Sequence, residues 1–196
     1  MHRRPQQHFG NGLALLALAF SAGARAAPPP AQPPAADRPQ AAAFAQLGAG
    51  SGRARAAAVG VSWPWAWRRP MHGGYELSAY TDFALGRWWG RSPVAGSTQA
   101  NRIGVTPTLR WGPSGAAGWF VEAGIGANYV TPLWRNDGKR FGSRFNFGEH
   151  LGVGLRWGPR GSHEVSLRVE HLSNAGLRRP NPGENFAQLR WSVALD

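Results

Sequence analysis

From Val59 onward the chain breaks into segments of about 10 to 15 residues in which apolar side chains hold every second position, with Gly, Pro, Asn and Ser between segments. A period of two belongs to strands, because successive side chains point to opposite faces. One apolar stripe runs Tyr75, Leu77, Ala79, Thr81, Phe83, Leu85, a second Ile103, Val105, Pro107, Leu109, Trp111, and a third Trp119, Val121, Ala123, Ile125, Ala127, Tyr129. Three more run Phe145, Phe147, Leu151, Val153, Leu155, Trp157, then Val165, Leu167, Val169, then Ala187, Leu189, Trp191, Val193, Leu195. Val59 to Trp67 predicts a seventh strand and Ala41 to Ala49 an eighth.

The alternate positions carry charge: Glu76, Asp82, Glu122, Glu164 and Glu170 against Arg102, Arg110, Arg156, Arg168 and Arg190. A water-soluble sandwich or lipocalin-like binder would bury its apolar face and show the charged one. Balanced charges sharing one face fit the opposite arrangement, a narrow barrel whose lumen neutralises them and whose apolar side meets lipid. The expected fold class is therefore all-β, an eight-stranded antiparallel transmembrane β-barrel of the bacterial outer membrane. With both termini periplasmic, Arg68 to Gly74, Pro113 to Gly118 and Pro159 to Gly161 become short periplasmic turns. Arg91 to Ala100, Thr131 to Gly142 and Leu177 to Gly183 become the outward loops. Trp63, Trp65, Trp111, Trp119, Trp157 and Trp191 fall near periplasmic strand ends and Trp88 and Trp89 at an outer end, where aromatic girdles form.

Residues 1–26 read as an export signal, with Arg3 and Arg4, an apolar run from Leu13 to Phe20 and an Ala24-Arg25-Ala26 cleavage site. Residues 27–40 form a Pro/Ala-rich disordered tether, and 41–196 the barrel domain. No later segment offers the roughly 20 consecutive apolar residues of a membrane helix. The chain has no cysteine, so sheet or membrane must supply what disulfides often do. Without Arg3, Arg4 and Arg25 there remain 19 basic against 10 acidic residues. That balance favours a polyanion. Export excludes nucleic acid and leaves phosphorylated lipid.

On the strand that is seventh in chain order the outward stripe Val165, Leu167, Val169 continues in phase to His171 and Ser173, which puts an imidazole and a hydroxyl on the lipid side. These residues open the stretch His171-Leu172-Ser173-Asn174-Ala175-Gly176-Leu177, followed by Pro180-Asn181-Pro182-Gly183. Together with Trp119-Phe120-Val121-Glu122-Ala123-Gly124-Ile125-Gly126 and with Phe145-Asn146-Phe147 and Leu151-Gly152-Val153-Gly154-Leu155, it resembles the PagL family of lipid A 3-O-deacylases.

The resemblance implies a serine hydrolase that cuts the acyl ester at position 3 of lipid A and releases a 3-hydroxy fatty acid. Ser173 is then the nucleophile, His171 the general base, and the backbone amides of Asn174 and Gly176 the oxyanion donors. The orienting residue departs from the family pattern. The family's Glu would fall at position 185, which is Asn185 here, with Glu184 one place earlier. Glu184 points inward in a regular strand unless a bulge after Pro182-Gly183 turns it. Glu149 lies on the outward parity of the preceding strand, opposite 171 if the turn centres near Arg160. Glu184 and Glu149 rank together, with Asn185 behind them on chemistry and ahead on alignment.

His72 and His163 sit at turns and His150 faces the lumen, so no metal and no cofactor is expected. The expected partner is lipid A or lipopolysaccharide in outer-membrane lipid, with Arg178, Arg179, Arg135, Lys139 and Arg140 placed to meet its phosphates. The pattern carries no signal of oligomeric state. A non-enzymatic barrel, an adhesin or structural anchor, fits the same alternation but leaves His171, Ser173 and Asn174 unexplained.

Overall fold

The alternation closes the sheet on itself. In a computed structural model that describes residues 40–93, 96–115 and 117–195, eight antiparallel strands form a closed barrel. The expected signal and nearly all of the expected tether lie outside the described residues. The barrel strands are β1 (Ala42–Gly50), β2 (Arg55–Pro70), β3 (Tyr75–Ser92), β4 (Gly96–Pro113), β5 (Gly118–Thr131), β8 (Phe145–Trp157), β9 (His163–Ser173) and β10 (Glu184–Ala194). Two short strands, β6 (Arg135–Asn136) and β7 (Lys139–Arg140), pair within the β5–β8 loop. Each barrel strand pairs with its neighbour along the chain, and β1 pairs with β10, so no edge is left open.

Exposure decides which face is which. Leu151 is 70% and Leu167 61% exposed, whereas Glu122 and Arg168 are each 4% exposed. The apolar stripe faces out and the charges face in. Inside, Arg168 donates to Glu122 (2.6 Å), Asp82 (3.1 Å) and the Tyr80 hydroxyl (2.9 Å). Arg190 reaches Asp82 (2.7 Å), and Arg102 holds Glu170 through both terminal nitrogens (2.8 and 2.5 Å). Arg110 bridges Glu122 and Glu164, and Arg156 also binds Glu164. All five expected lumen arginines are thus paired, as buried ions must be.

Three features differ from expectation. β2 runs from Arg55 to Pro70 rather than from Val59 to Trp67, with a register shift between Pro64 and Arg68. Pro64 has no N–H to give a ladder, so the pairing slips where it sits. The expected loop from Arg91 to Ala100 is mostly strand, because β3 and β4 keep pairing out to Ser92 and Gly96. Backbone pairing satisfies polar residues as well as apolar ones, so the strands outlast the apolar stripe. Finally, Trp88 is not a girdle residue: it is buried with Trp134, Phe141 and Phe186 under the loops, while Trp89 faces out.

That aromatic cluster caps the loop end of the barrel. The β6–β7 hairpin docks over it through the Asn136 amide on the Ser51 carbonyl (2.8 Å), the Arg91 N–H on Asn136 Oδ1 (3.1 Å) and Thr98 Oγ1 on the Arg135 carbonyl (2.7 Å).

Candidate active site

His171 and Ser173 close the loop end of β9, both half-buried and on the outward face. Each has outward neighbours across the strand. On β10 Asn185 pairs with His171, and on β8 Glu149 pairs with His171 and Phe147 with Ser173. The turn around Arg160 therefore sets the register expected for Glu149.

The imidazole is held from two sides. Its Nδ1 lies 2.6 Å from Asn185 Oδ1. An amide oxygen only accepts, so Nδ1 carries the proton and Nε2 keeps a free lone pair. Gly183 forms the other side. A Cβ there would stand 2.6 Å from His171 Cε1 and 3.2 Å from Nε2, and its φ of +67° suits glycine. Glycine at 183 is thus the seat of the ring.

Glu184 is not at the imidazole. No bulge forms: Glu184 pairs in regular register with Leu172 and points into the barrel, fully buried. There its carboxylate accepts from Ser51 Oγ (2.5 Å), Trp134 Nε1 (3.0 Å), Asn136 Nδ2 (3.3 Å) and Lys139 Nζ (3.3 Å). Strand parity carries it inward, and the docked hairpin supplies its donors. Glu184 locks the cap, and Asn185 touches His171. Glu149 is exposed and, among the described residues, takes no hydrogen bond or ion pair.

After Ser173 the chain turns back sharply. The Leu177 N–H donates to the Asn174 carbonyl (3.0 Å), and Ala175 and Gly176, at φ +52° and +81°, take the paired positive values of a type I′ turn. Ala175 holds that conformation at a cost of about 1–2 kcal/mol, the kind of strain that collects at working sites. Its N–H points at Ser173 Oγ from 3.4 Å. The two amides expected as oxyanion donors are engaged: Asn174 N–H donates to Asn181 Oδ1 (2.9 Å) and Gly176 N–H to Asn174 Oδ1 (3.1 Å). The buried Asn174 amide also donates to Ser143 Oγ (3.0 Å) and to the Arg178 carbonyl (2.7 Å), tying the β5–β8 loop to the site. Gly183, Asn181 and Ser143 had escaped the sequence reading as site residues. The only signal available was an Asn between two prolines in Pro180-Asn181-Pro182-Gly183.

Below the site, on the same outward face, lies an open apolar depression lined by Leu47, Leu151, Val153, Leu167, Val169 and Leu189, with Ala49 paired to Ala187 in its floor. No group of three His, Cys, Asp or Glu that could hold a metal occurs among the described residues.

The sequence profile of a family described as lipid A 3-O-deacylase (PagL) matches residues 54–194, most of the chain. This chain belongs to the PagL family. Among its relatives, the lipid A deacylase PagL of Bordetella bronchiseptica is 40% identical over 108 residues, 54% of this chain and 56% of that protein. The lipid A deacylase PagL of Pseudomonas aeruginosa is 30% identical over 120 residues, 61% of this chain and 66% of that protein. The matched stretches thus span less than two thirds of either relative. A crystal structure of the outer membrane enzyme PagL superposes with a TM-score of 0.69 at 26% identity, covering 79% of this chain and 99% of the other. PagL membership and the closed barrel agree with the expected fold class.

Proposed function

We propose that this PagL-family barrel is an outer-membrane esterase that removes the 3-hydroxyacyl chain ester-linked at position 3 of lipid A, with Ser173 as nucleophile. The observation that carries this reading is the placement of His171, oriented by Asn185, on the same outward stripe as Ser173 and directly above an apolar depression. A lipid ester at the boundary between headgroup and hydrocarbon would reach that stripe by lateral diffusion, with its chain along the depression. With the loop end facing outward, the stripe meets the outer leaflet.

The chemistry balances on the protein's own groups. As Ser173 Oγ bonds to the ester carbonyl carbon, its proton passes to His171 Nε2. Collapse breaks the carbon–oxygen bond to the sugar, and His171 returns the proton to the leaving sugar oxygen. Water then attacks the acyl-serine, its proton goes to His171 and on to Ser173 Oγ, and the 3-hydroxy fatty acid leaves. Asn185 keeps the imidazole in the reactive tautomer. Asn174 and Gly176 N–H would stabilise the oxyanion, since a negative oxygen binds amides more strongly than the neutral amide oxygens that now hold them. Glu149, across the strand, adds negative charge beside the imidazolium.

Mass spectrometry of lipid A from cells expressing the chain tests this. The expected result is loss of one ester-linked 3-hydroxyacyl chain, unchanged by chelators. Loss of an amide-linked chain would overturn the ester assignment, and no loss at all would favour the non-enzymatic barrel.

A further inference from the structure

Beside the site, the β5–β8 and β9–β10 loops enclose a cleft of about 570 Å³ lined by Leu133, Arg140, Ser143, Arg144, Arg178 and Arg179 among others. Its volume is that of a small-molecule site. All four arginines are exposed, and none has a carboxylate partner among the described residues; Arg144 meets only the Tyr129 hydroxyl, at 3.3 Å. This sets them apart from the lumen arginines, and from Lys139, whose charge Glu184 takes up. Four guanidinium groups without carboxylate partners lining one cleft give it a positive potential that favours an anion.

The cleft is held in shape. Gly142 packs so closely on the other loop that a Cβ would stand 2.7 Å from the Pro180 carbonyl and 2.8 Å from that of Arg179. Asn174 ties the two walls together through Ser143 and the Arg178 carbonyl, and Asn174 is the residue after Ser173. A ligand group in this cleft therefore lies at a fixed offset from the nucleophile.

We infer that the cleft formed by Arg140, Arg144, Arg178 and Arg179 binds a phosphomonoester of the lipid headgroup, and so sets which ester reaches Ser173. This deepens the deacylase reading and rests on it. Planar guanidinium forks suit phosphate oxygens, and several converging arginines suit a dianion better than a carboxylate.

The test is kcat/KM in neutral-detergent micelles on lipid A with its phosphates and on phosphatase-treated lipid A. Wild type is compared with Arg178→Gln/Arg179→Gln and with Arg140→Gln/Arg144→Gln, each checked for a closed barrel by heat-modifiable gel migration. Removing the phosphates should cost wild type about 10- to 100-fold. The variants should lose a similar factor on phosphorylated lipid and little more on the treated lipid. Arg→Lys versions should recover part of the loss. If instead lipid A phosphates make no difference but added phosphatidic acid, itself a phosphomonoester, raises the wild-type rate on both lipids and not that of the variants, the phosphate belongs to a neighbouring lipid and the cleft stands. Wild-type rates that respond neither to lipid A phosphates nor to that phospholipid, or variant losses that ignore phosphate, overturn the inference while leaving the deacylase reading intact. A wild type inactive on every lipid A removes the deacylase reading instead, and binding of inorganic phosphate by wild type but not by the variants would then decide the cleft alone.

Discussion

Arg168 and His171 lie on the same strand, three residues apart, and their surroundings are opposite. Arg168 points inward, is 4% exposed, and spends its donors on Asp82, Glu122 and Tyr80. His171 points outward and has one hydrogen bond, to Asn185, with Nε2 left over and an unpaired Glu149 across the strand. In the lumen each charge is neutralised, because an unpaired buried ion costs several kcal/mol. On the outward face of β9 polar groups are left with capacity in reserve. The contrast separates groups that hold the barrel together from groups free to meet a substrate, and it predicts different losses on the two sides.

The largest expected effect is on the outward side. Ser173→Ala and His171→Ala should each lower turnover by about 10³-fold or more and by similar factors, since nucleophile and base act as one unit. Both should keep wild-type heat-modifiable migration. Wild-type deacylation by Ser173→Ala would remove the serine mechanism.

Next comes the lumen. Glu122→Leu deprives Arg168 and Arg110 of a shared partner and should destabilise the barrel by about 3–5 kcal/mol, read as a lower midpoint of thermal gel shift, with kcat of the folded fraction unchanged. A loss of kcat at constant stability would show that the lumen is part of the catalytic unit and would dissolve the contrast.

A smaller effect separates two consecutive residues. Asn185→Ala should cost about 100-fold in kcat, by freeing the imidazole, whereas Asn185→Glu, which installs the family's residue, should retain or raise activity. Glu184→Gln should instead loosen the cap and leave kcat within a few-fold. If Glu184→Gln proves the more damaging to turnover, the cap rather than Asn185 positions the site.

These neighbours also mark how far the sequence could be read. Alternation was enough for the strand count, the inverted faces and the outward parity of His171, Ser173, Glu149 and Asn185, because side-chain direction in a strand follows from counting. Pairing of 149 with 171 followed from the centre of a tight turn. What Glu184 binds was not readable, because its donors come from Ser51, Trp134, Asn136 and Lys139, brought in by a loop that docks from far along the chain. Counting also turns Trp88 inward, but the Trp134 and Phe141 rings that cover it and the unpaired arginines of the cleft depend on the same docking. Loops pack by tertiary contact and leave no period behind.

The smallest effect concerns Glu149, the carboxylate that counting placed beside His171 and that has no partner of its own among the described residues. It makes no hydrogen bond to the imidazole, so any contribution is through charge alone. A unit charge at cross-strand distance, in the wet boundary of a bilayer, is worth on the order of 1 kcal/mol. On the proposed mechanism that charge acts mainly when His171 carries the proton taken from Ser173, a state on the way to the transition state and absent from the resting enzyme. Glu149→Gln should therefore lower kcat a few-fold and leave KM unchanged, the split expected of an interaction made only during reaction. Removing it should not lower the thermal gel-shift midpoint, since it pairs with nothing in the folded barrel. A fall in that midpoint, or a rise in KM at constant kcat, would place Glu149 with the structural charges of the lumen or with substrate binding, and the outward face would then hold one fewer group in reserve.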